Sequence, residues 1–143
     1  MTTEALAELF TEWCFSYFEI PKNVVDVSII AEAYKYNSKY EGSFYVDREH
    51  NIGKIDIYKS DTKHPVDIFK IMAHEFTHCA QWVDGRLDID GDIVIFDGIC
   101  YDRKLIAYAQ QPWEIEAREA EFKLVVKFLS ENVNILEAFV KDL

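Results

Sequence analysis

The sequence predicts an α+β fold, with helices at both ends of the chain and a few strands between them. Three observations predict it. The chain has 143 residues, a length that suits a single domain spanning residues 1–143, and half of its residues are hydrophobic. Apolar residues recur at helical spacing near both termini, and segments between them have the composition of strands. No linker rich in proline, glycine or serine divides the chain.

The first elements are a helix and three strands. The segment "TTEALAELFTEWCFSYFEI" has apolar residues at helical spacing, Thr2 or Thr3 can cap it, and Pro21 ends it. The segment "VVDVSII" is typical of a strand. Two more strands are predicted at "GSFYVD" and "KIDIYKS", and "REHNIG" joins them as a hairpin.

The second half of the chain begins with a helix. Pro65 suits its first turn and Gly85 its C-terminal cap. The segment "GDIVIFDGICYD" predicts a second hairpin that turns at its internal "DG". Pro112 then opens a long helix, "QPWEIEAREAEFKLVVKFL", and "ENVNILEAFVKDL" predicts a short amphipathic helix at the end.

The helix that Pro65 opens carries a metal-binding motif. His74 and His78 stand four residues apart, with Glu75 directly after the first. Residues four apart lie on the same face of a helix, so both imidazoles can bind one ion, and imidazole suits zinc. Glu75 lies about 100° around the helix from His74. It can reach a water on that ion and act as a general base, so the spacing predicts a zinc hydrolase.

The two faces of this helix have different compositions. One face is an apolar stripe that is expected to pack against a core. The stripe consists of Val66, Phe69, Ala73, Phe76, Ala80 and Val83. The histidines fall on nearly the opposite face, close to Ile71 and Trp82, so that face is predicted to pack or to line a cleft. Gln81, three residues after the second histidine, could line the same cleft or face solvent.

A catalytic zinc normally takes three protein ligands, so the motif needs one more. The segment "PWEIEAREAE" concentrates Glu114, Glu116, Glu119 and Glu121 near the start of a helix. By itself, an acidic first turn is explained by the helix dipole. Together with a histidine pair that lacks a third ligand, this segment becomes the best source of that ligand.

The sequence "HEFTHCAQ" followed by "PWEIEA" resembles the gluzincin-type zinc metallopeptidases. It looks most like the small ImmA/IrrE-like peptidases and short phage-encoded proteins with an HExxH…PWExEA pattern, over residues 66–129. The resemblance implies a zincin-like fold, in which the active-site helix lies under a small, mostly antiparallel sheet. It also implies hydrolysis of a peptide or protein substrate. Carried over, His74 and His78 become zinc ligands and Glu75 the base, with Glu114 preferred as third ligand and Glu116 as the alternative.

The resemblance leaves other roles open. Arg118 stands where the related pattern has Asn or Asp, so the group that would support a ligating histidine from behind is not identified. The family's transition-state donor, usually Tyr or His, has three candidates in Tyr101, Tyr108 and His64. By analogy, the strand "KIDIYKS" is expected to be a sheet edge that pairs with an extended peptide.

The composition narrows the partners and the compartment. A net charge of −11 would repel phosphates, so no nucleic-acid partner is expected; the charge indicates solubility, with DNA mimicry as an alternative. The sequence has no run of about 20 apolar residues and no signal peptide, so no membrane association is expected. Three cysteines without a CxxC spacing predict a cytoplasmic location, and the family resemblance implies the cytoplasm of a bacterium or of a phage-infected host. Nothing in the sequence indicates an oligomeric state.

Three functions compete on these observations. The first is a zinc-dependent peptidase. The second is a protein that keeps the zincin fold without catalysis, as an acidic binding or inhibitor protein. The third is a structural zinc site, or no metal site at all. The presence of Glu75 favours the peptidase, because a protein that only binds has no need of a general base.

Overall fold

The structure is a computed structural model that describes residues 1–30, 41–58 and 64–141. These residues form an α+β fold, as predicted. Its helices are α1 (Thr3–Phe18), α2 (Pro65–Val83), α3 (Pro112–Glu131) and α4 (Val133–Lys141). Its strands are β1 (Val25–Ile30), β2 (Gly42–Asp47), β3 (Ile52–Tyr58), β4 (Leu87–Asp90), β5 (Ile93–Phe96) and β6 (Ile99–Asp102). The last two residues of the predicted strand "KIDIYKS", and those of the predicted final helix, lie outside the described residues.

The first sheet has the strand order β1-β3-β2. The predicted hairpin is confirmed, because β2 pairs with β3 in antiparallel register across its turn. The prediction that "KIDIYKS" forms a sheet edge is wrong. Strand β3 is central, since β1 pairs with its other side in parallel register, and among the described residues the edges are β1 and β2. The alternation of β3 shows that one face is buried, but it carries no information about which strands lie beside it.

The second sheet contains β4, β5 and β6 in that order, with both pairs antiparallel. The hairpin predicted at "DG" is confirmed: Asp97 and Gly98 have φ values of 49° and 81°, as a turn of type I′ requires at both positions. Strand β4 was not predicted, because "LDID" is acidic and short. Where the family resemblance implies one small, mostly antiparallel sheet, the described residues form two three-stranded sheets. The second is antiparallel throughout, and the first combines one parallel and one antiparallel pair.

Helix α2 lies at the centre of the main core, which confirms its predicted apolar stripe. Phe69, Ala73 and Phe76 are fully buried. The ring of Phe69 lies 4.9 Å from that of Phe10 in α1 and 5.3 Å from that of Phe128 in α3. These contacts fix the rotation of α2 about its axis, so its opposite face turns towards β2 and the first turn of α3.

The ends of α2 follow the sequence prediction. Pro65 is its first residue, and the side chain of His64 caps it by accepting a hydrogen bond from the Val66 amide. Gly85 follows the helix with a φ of 76°. The next amide, of Arg86, donates to the Gln81 carbonyl at 2.9 Å, so the chain reverses in a Schellman motif. This motif brings Arg86 back beside the last turn of α2. None of the described helices is long and apolar enough to cross a membrane.

Candidate metal centre

Three buried side chains from two helices meet at one point. His74 and His78 of α2 are each 7% exposed, and Glu114 of α3 is 6% exposed. The Nε2 atom of His74 lies 3.2 Å from the Nε2 atom of His78 and 3.0 Å from Oε1 of Glu114. The same carboxylate oxygen also contacts His78 Nε2. One ligand atom from each residue lies within 4.8 Å of the others, so the group could hold a metal ion.

Packing of the first turn of α3 places Glu114 at this point. Pro112 begins the helix, and the buried Trp113 anchors it by packing against Phe96 and Tyr101 of the second sheet. Ala117, one turn after Glu114, is fully buried. With this rotation of α3, the Glu114 side chain points towards α2.

The rear nitrogen of each histidine faces a hydrogen-bond acceptor. His74 Nδ1 lies 2.8 Å from Oε1 of Glu121, and His78 Nδ1 lies 2.9 Å from Oε1 of Gln81. The amide nitrogen of Gln81 donates to the Trp113 carbonyl, which fixes the direction of that amide. Both Nδ1 atoms therefore donate a proton, and both Nε2 atoms of the neutral rings direct lone pairs towards the Glu114 carboxylate. Three acceptors so close together require a positive charge between them, either protons or a metal ion.

Gln81 and Glu121 supply the support that the sequence left unassigned. Gln81 follows His78 by three residues on α2, so it lies on the same helix face as the ligand that it contacts. Glu121 follows Glu114 by seven residues on α3, so it lies on the same face as Glu114 and reaches His74 across the two helices. Gln81 is 1% exposed, so it lines the site and does not face solvent. Glu121, one of the four clustered glutamates in the sequence, contacts the Nδ1 atom of His74 and not the point where the ligand atoms meet.

The charges of the site are coupled. Burial alone would lower the pKa of His74, but the hydrogen bond that the Glu114 carboxylate accepts and the charges of Glu75 and Glu114 raise it above its usual value. Burial would raise the pKa of Glu114, but hydrogen bonds from the two histidines lower it to about 2. The Glu114 carboxylate is therefore an anion at neutral pH, and it attracts a cation to the point where the three side chains meet.

Glu75 lies beside this group and is also buried, at 7% exposure. Burial raises the pKa of Glu75 to about 7, although the nearby histidines partly oppose the change. Strand β2 approaches it closely. A Cβ atom on Gly42 would lie 3.1 Å from Glu75 Cγ and 2.7 Å from Ile71 Cγ2, so only glycine fits there without a shift. The edge of the first sheet therefore passes directly alongside Glu75.

A cleft of about 480 Å³ opens between β2, α2 and the start of α3. Its lining comprises Gly42, Ser43, Phe44, Glu75, His78, Ile89, Arg103, Tyr108, Trp113 and Glu114. Of the three candidate transition-state donors, Tyr108 lies in this cleft. Partial burial and the charge of Glu114 raise its pKa, so its hydroxyl stays protonated at neutral pH. Tyr101 packs on Trp113 instead, and His64 caps the far end of α2.

Glu116, the alternative third ligand, belongs to a different network. Its carboxylate accepts two hydrogen bonds from Arg86, both at 2.8 Å, and one from Gln81 at 3.1 Å. Arg118 donates to the Ala109 carbonyl and lies over the ring of Tyr108. The structure therefore brings Glu114, and not Glu116, to the two histidines.

Comparisons of the chain with protein-family models, with curated proteins and with solved structures found no match.

Proposed function

We propose that this protein is a zinc-dependent peptidase. His74, His78 and Glu114 hold the zinc ion, and Glu75 acts as the general base. One observation carries the proposal: three buried ligand atoms converge beside a buried carboxylate, in a cleft that opens along a sheet edge. A structural metal site needs neither a neighbouring base nor an open cleft.

The three side chains fit zinc. Two imidazole nitrogens and a carboxylate oxygen are a donor set that zinc accepts. Zinc–nitrogen distances of about 2.0–2.1 Å in a tetrahedral site place neighbouring ligand atoms roughly 3.3 Å apart. The separations of 3.2 Å between the histidine nitrogens and 3.0 Å between His74 Nε2 and Glu114 Oε1 are close to that value. Three protein ligands leave one tetrahedral position for water or substrate, as in catalytic sites.

When bound, zinc would lower the pKa of a water molecule and polarise the substrate carbonyl. The residues of the chain move the protons. Glu75 accepts a proton from the attacking water and passes it to the leaving amine. Its pKa of about 7, raised by burial, suits a group that must both take and return a proton near neutral pH. Tyr108, which lines the same cleft, donates a hydrogen bond to the oxygen on which negative charge develops.

The shape of the cleft favours an extended peptide as the substrate. Within the described residues, β2 is an edge strand, and its residues 42–44 line the cleft. Backbone groups on the outer side of such a strand can pair with an extended peptide. Phe44, Ile89 and Trp113 add apolar surface for a side chain of that peptide. The peptide-binding edge expected from the sequence is thus assigned to β2 and no longer to β3.

The experiment that tests this function uses Glu75→Gln, which keeps the shape of the side chain but cannot accept a proton. Wild-type and variant protein, purified without exposure to chelators or metal-affinity resin, are assayed for zinc by mass spectrometry. Both are then incubated with a proteome-derived peptide library. We expect near-stoichiometric zinc in both proteins, and hydrolysis lower in the variant by at least about 10²–10⁴-fold.

Glu119→Gln is the matched control, because it makes the same change at an exposed position of α3. It should leave zinc content and hydrolysis unchanged. Cleavage that persists in Glu75→Gln would mean a contaminant or a different base. Zinc-loaded wild-type protein that cleaves no peptide would support the non-catalytic binding protein. Well-folded protein that takes up no zinc would refute the metal site itself.

A further inference from the structure

A chain of polar contacts runs from the metal-ligand group to the turn of the second sheet. Gln81 Oε1 accepts from His78 Nδ1 at 2.9 Å, and Gln81 Nε2 donates to Glu116 Oε1 at 3.1 Å. Arg86 binds both oxygens of Glu116 at 2.8 Å. Arg86 also binds Asp97 in the β5–β6 turn at 2.8 and 3.1 Å. Of the residues linked by these contacts, the function proposed above uses only His78.

The direction of the Gln81 amide decides which nitrogen of His78 is protonated. In the observed direction, the amide nitrogen has two acceptors, the Trp113 carbonyl and the Glu116 carboxylate. The amide oxygen then faces His78 Nδ1, which must donate a proton, so Nε2 is free to bind a metal. With the amide reversed, Nδ1 would have to accept. The proton would then occupy Nε2, and the ring could not bind a metal.

The charge of Glu116 opposes that reversal. An ionised carboxylate only accepts hydrogen bonds, so it can pair with the NH₂ group of Gln81 and repels the amide oxygen. Two hydrogen bonds from Arg86, one to each oxygen, hold the carboxylate in place, and this two-point pairing with a guanidinium is the geometry of an ionised carboxylate. The Schellman motif at Gly85 returns the chain so that Arg86 can reach it.

We infer that Glu116 is a positioning residue for the metal centre. Held by Arg86, it fixes the direction of the Gln81 amide, and through that amide the metal-binding tautomer of His78. This inference rests on the zinc site of the proposed function, but not on peptide hydrolysis. It gives a role to a glutamate that the sequence offered as an alternative ligand.

The test replaces Glu116 with glutamine, which keeps the shape but can donate a hydrogen bond to a reversed Gln81 amide. Zinc affinity is measured by competition with a chromophoric chelator. We expect it to fall by about 10-fold, the lower end of the effect of residues that orient metal ligands. Glu119→Gln, on the same helix, should bind zinc as the wild type does.

A second readout separates orientation from general destabilisation. In zinc-loaded, ¹⁵N-labelled protein, the ring N–H resonances of both ligating histidines are followed by NMR. Glu116→Gln should move the His78 resonance or speed its exchange with water. The His74 resonance is an internal control, because its nitrogen faces Glu121 and not Gln81, and it should stay in place.

Arg86→Lys is a second variant that tests the inference if Glu116→Gln does not fold. It keeps the positive charge but loses the two-point contact with the Glu116 carboxylate. It should move the same resonance with a smaller loss of zinc. The inference is overturned if Glu116→Gln and Arg86→Lys both match Glu119→Gln in zinc affinity and in the His78 resonance, even if their melting temperatures fall. Wild-type protein that binds no zinc would overturn the inference together with the metal site. Wild-type protein that binds zinc but cleaves nothing would leave these expectations as they stand.

Discussion

Removal of the Glu114 carboxylate tests the metal centre most directly. Its Oε1 is the carboxylate oxygen that contacts the Nε2 atoms of both His74 and His78. The two other glutamates of α3 near the site have different partners: Glu121 contacts Nδ1 of His74, and Glu116 is held by Arg86. Among the described residues, His74, His78 and Glu114 are the group that lies close enough to hold a metal ion, so Glu114→Ala leaves the two histidines without the third member of that group.

The expected loss follows from what lesser changes do. Changes to groups that only orient a ligand weaken metal binding by about 10–100-fold, so loss of the ligand itself should cost at least about 100-fold. At a free zinc concentration about 100 times the wild-type Kd, zinc stabilises the wild type by about 2.7 kcal/mol. At the same concentration, a variant that binds about 100-fold more weakly gains only about 0.4 kcal/mol. For a chain of this size, 1 kcal/mol corresponds to roughly 3–4 °C in Tm, so the shifts should be roughly 8–10 °C and 1–2 °C.

The assay is thermal unfolding with and without zinc, supported by a chelator competition that yields Kd. Glu116→Ala should lose less affinity than Glu114→Ala, and Glu119→Ala should match the wild type. If Glu114→Ala kept the full zinc-induced rise in Tm, Glu114 would not be a ligand. The reverse ranking of Glu114→Ala and Glu116→Ala would move the ligand role to Glu116. Negligible effects of both would remove α3 from the site.

Two further predictions concern pH and the cleft. Protons and zinc compete for the same histidine nitrogens, so zinc should be held at high pH and lost as the pH falls through the histidine pKa values. Because the pKa of His74 is raised, removal of zinc by a chelator, followed from about pH 8 down to pH 5, should begin at a higher pH than for a site with an ordinary histidine. Zinc that is held equally well across this range would contradict the prediction. Tyr108→Phe should lower kcat by about 10²-fold, because the hydrogen bond to the developing charge is lost. It should weaken zinc binding far less than Glu114→Ala does, because Tyr108 is not one of the three proposed ligands. Unchanged kcat on a cleaved library peptide would remove Tyr108 from the mechanism.

The sequence by itself determined the helical part of the site. The spacing of His74 and His78 places both imidazoles on one face of α2 by helix geometry alone. The apolar stripe on the opposite face predicts that this second face packs against the core. The two hairpins followed from turn residues between strand-like segments. These features depend on residues within a few positions of one another, which a single sequence displays.

The tertiary structure decided which glutamate meets the histidines. Glu114 and Glu116 lie about 200° apart around α3, so only one of them can reach the two histidines. The choice depends on the rotation of α3, which Trp113 and Ala117 fix by packing against other elements. An acidic run such as "PWEIEAREAE" does not reveal that rotation, because it places glutamates on several faces of the helix.

Neighbour relations between distant segments were likewise beyond the sequence. The alternation of buried residues in β3 is the same whether the strand is central or at an edge. The parallel pairing with β1 makes β3 central, so β2 is the edge strand at the cleft. The sequence does not show that Gln81 and Glu121 support the histidines, because that role depends on which histidine nitrogen each side chain faces. Local periodicity specifies what a helix or strand presents on each face, but packing between elements decides which presented groups come together.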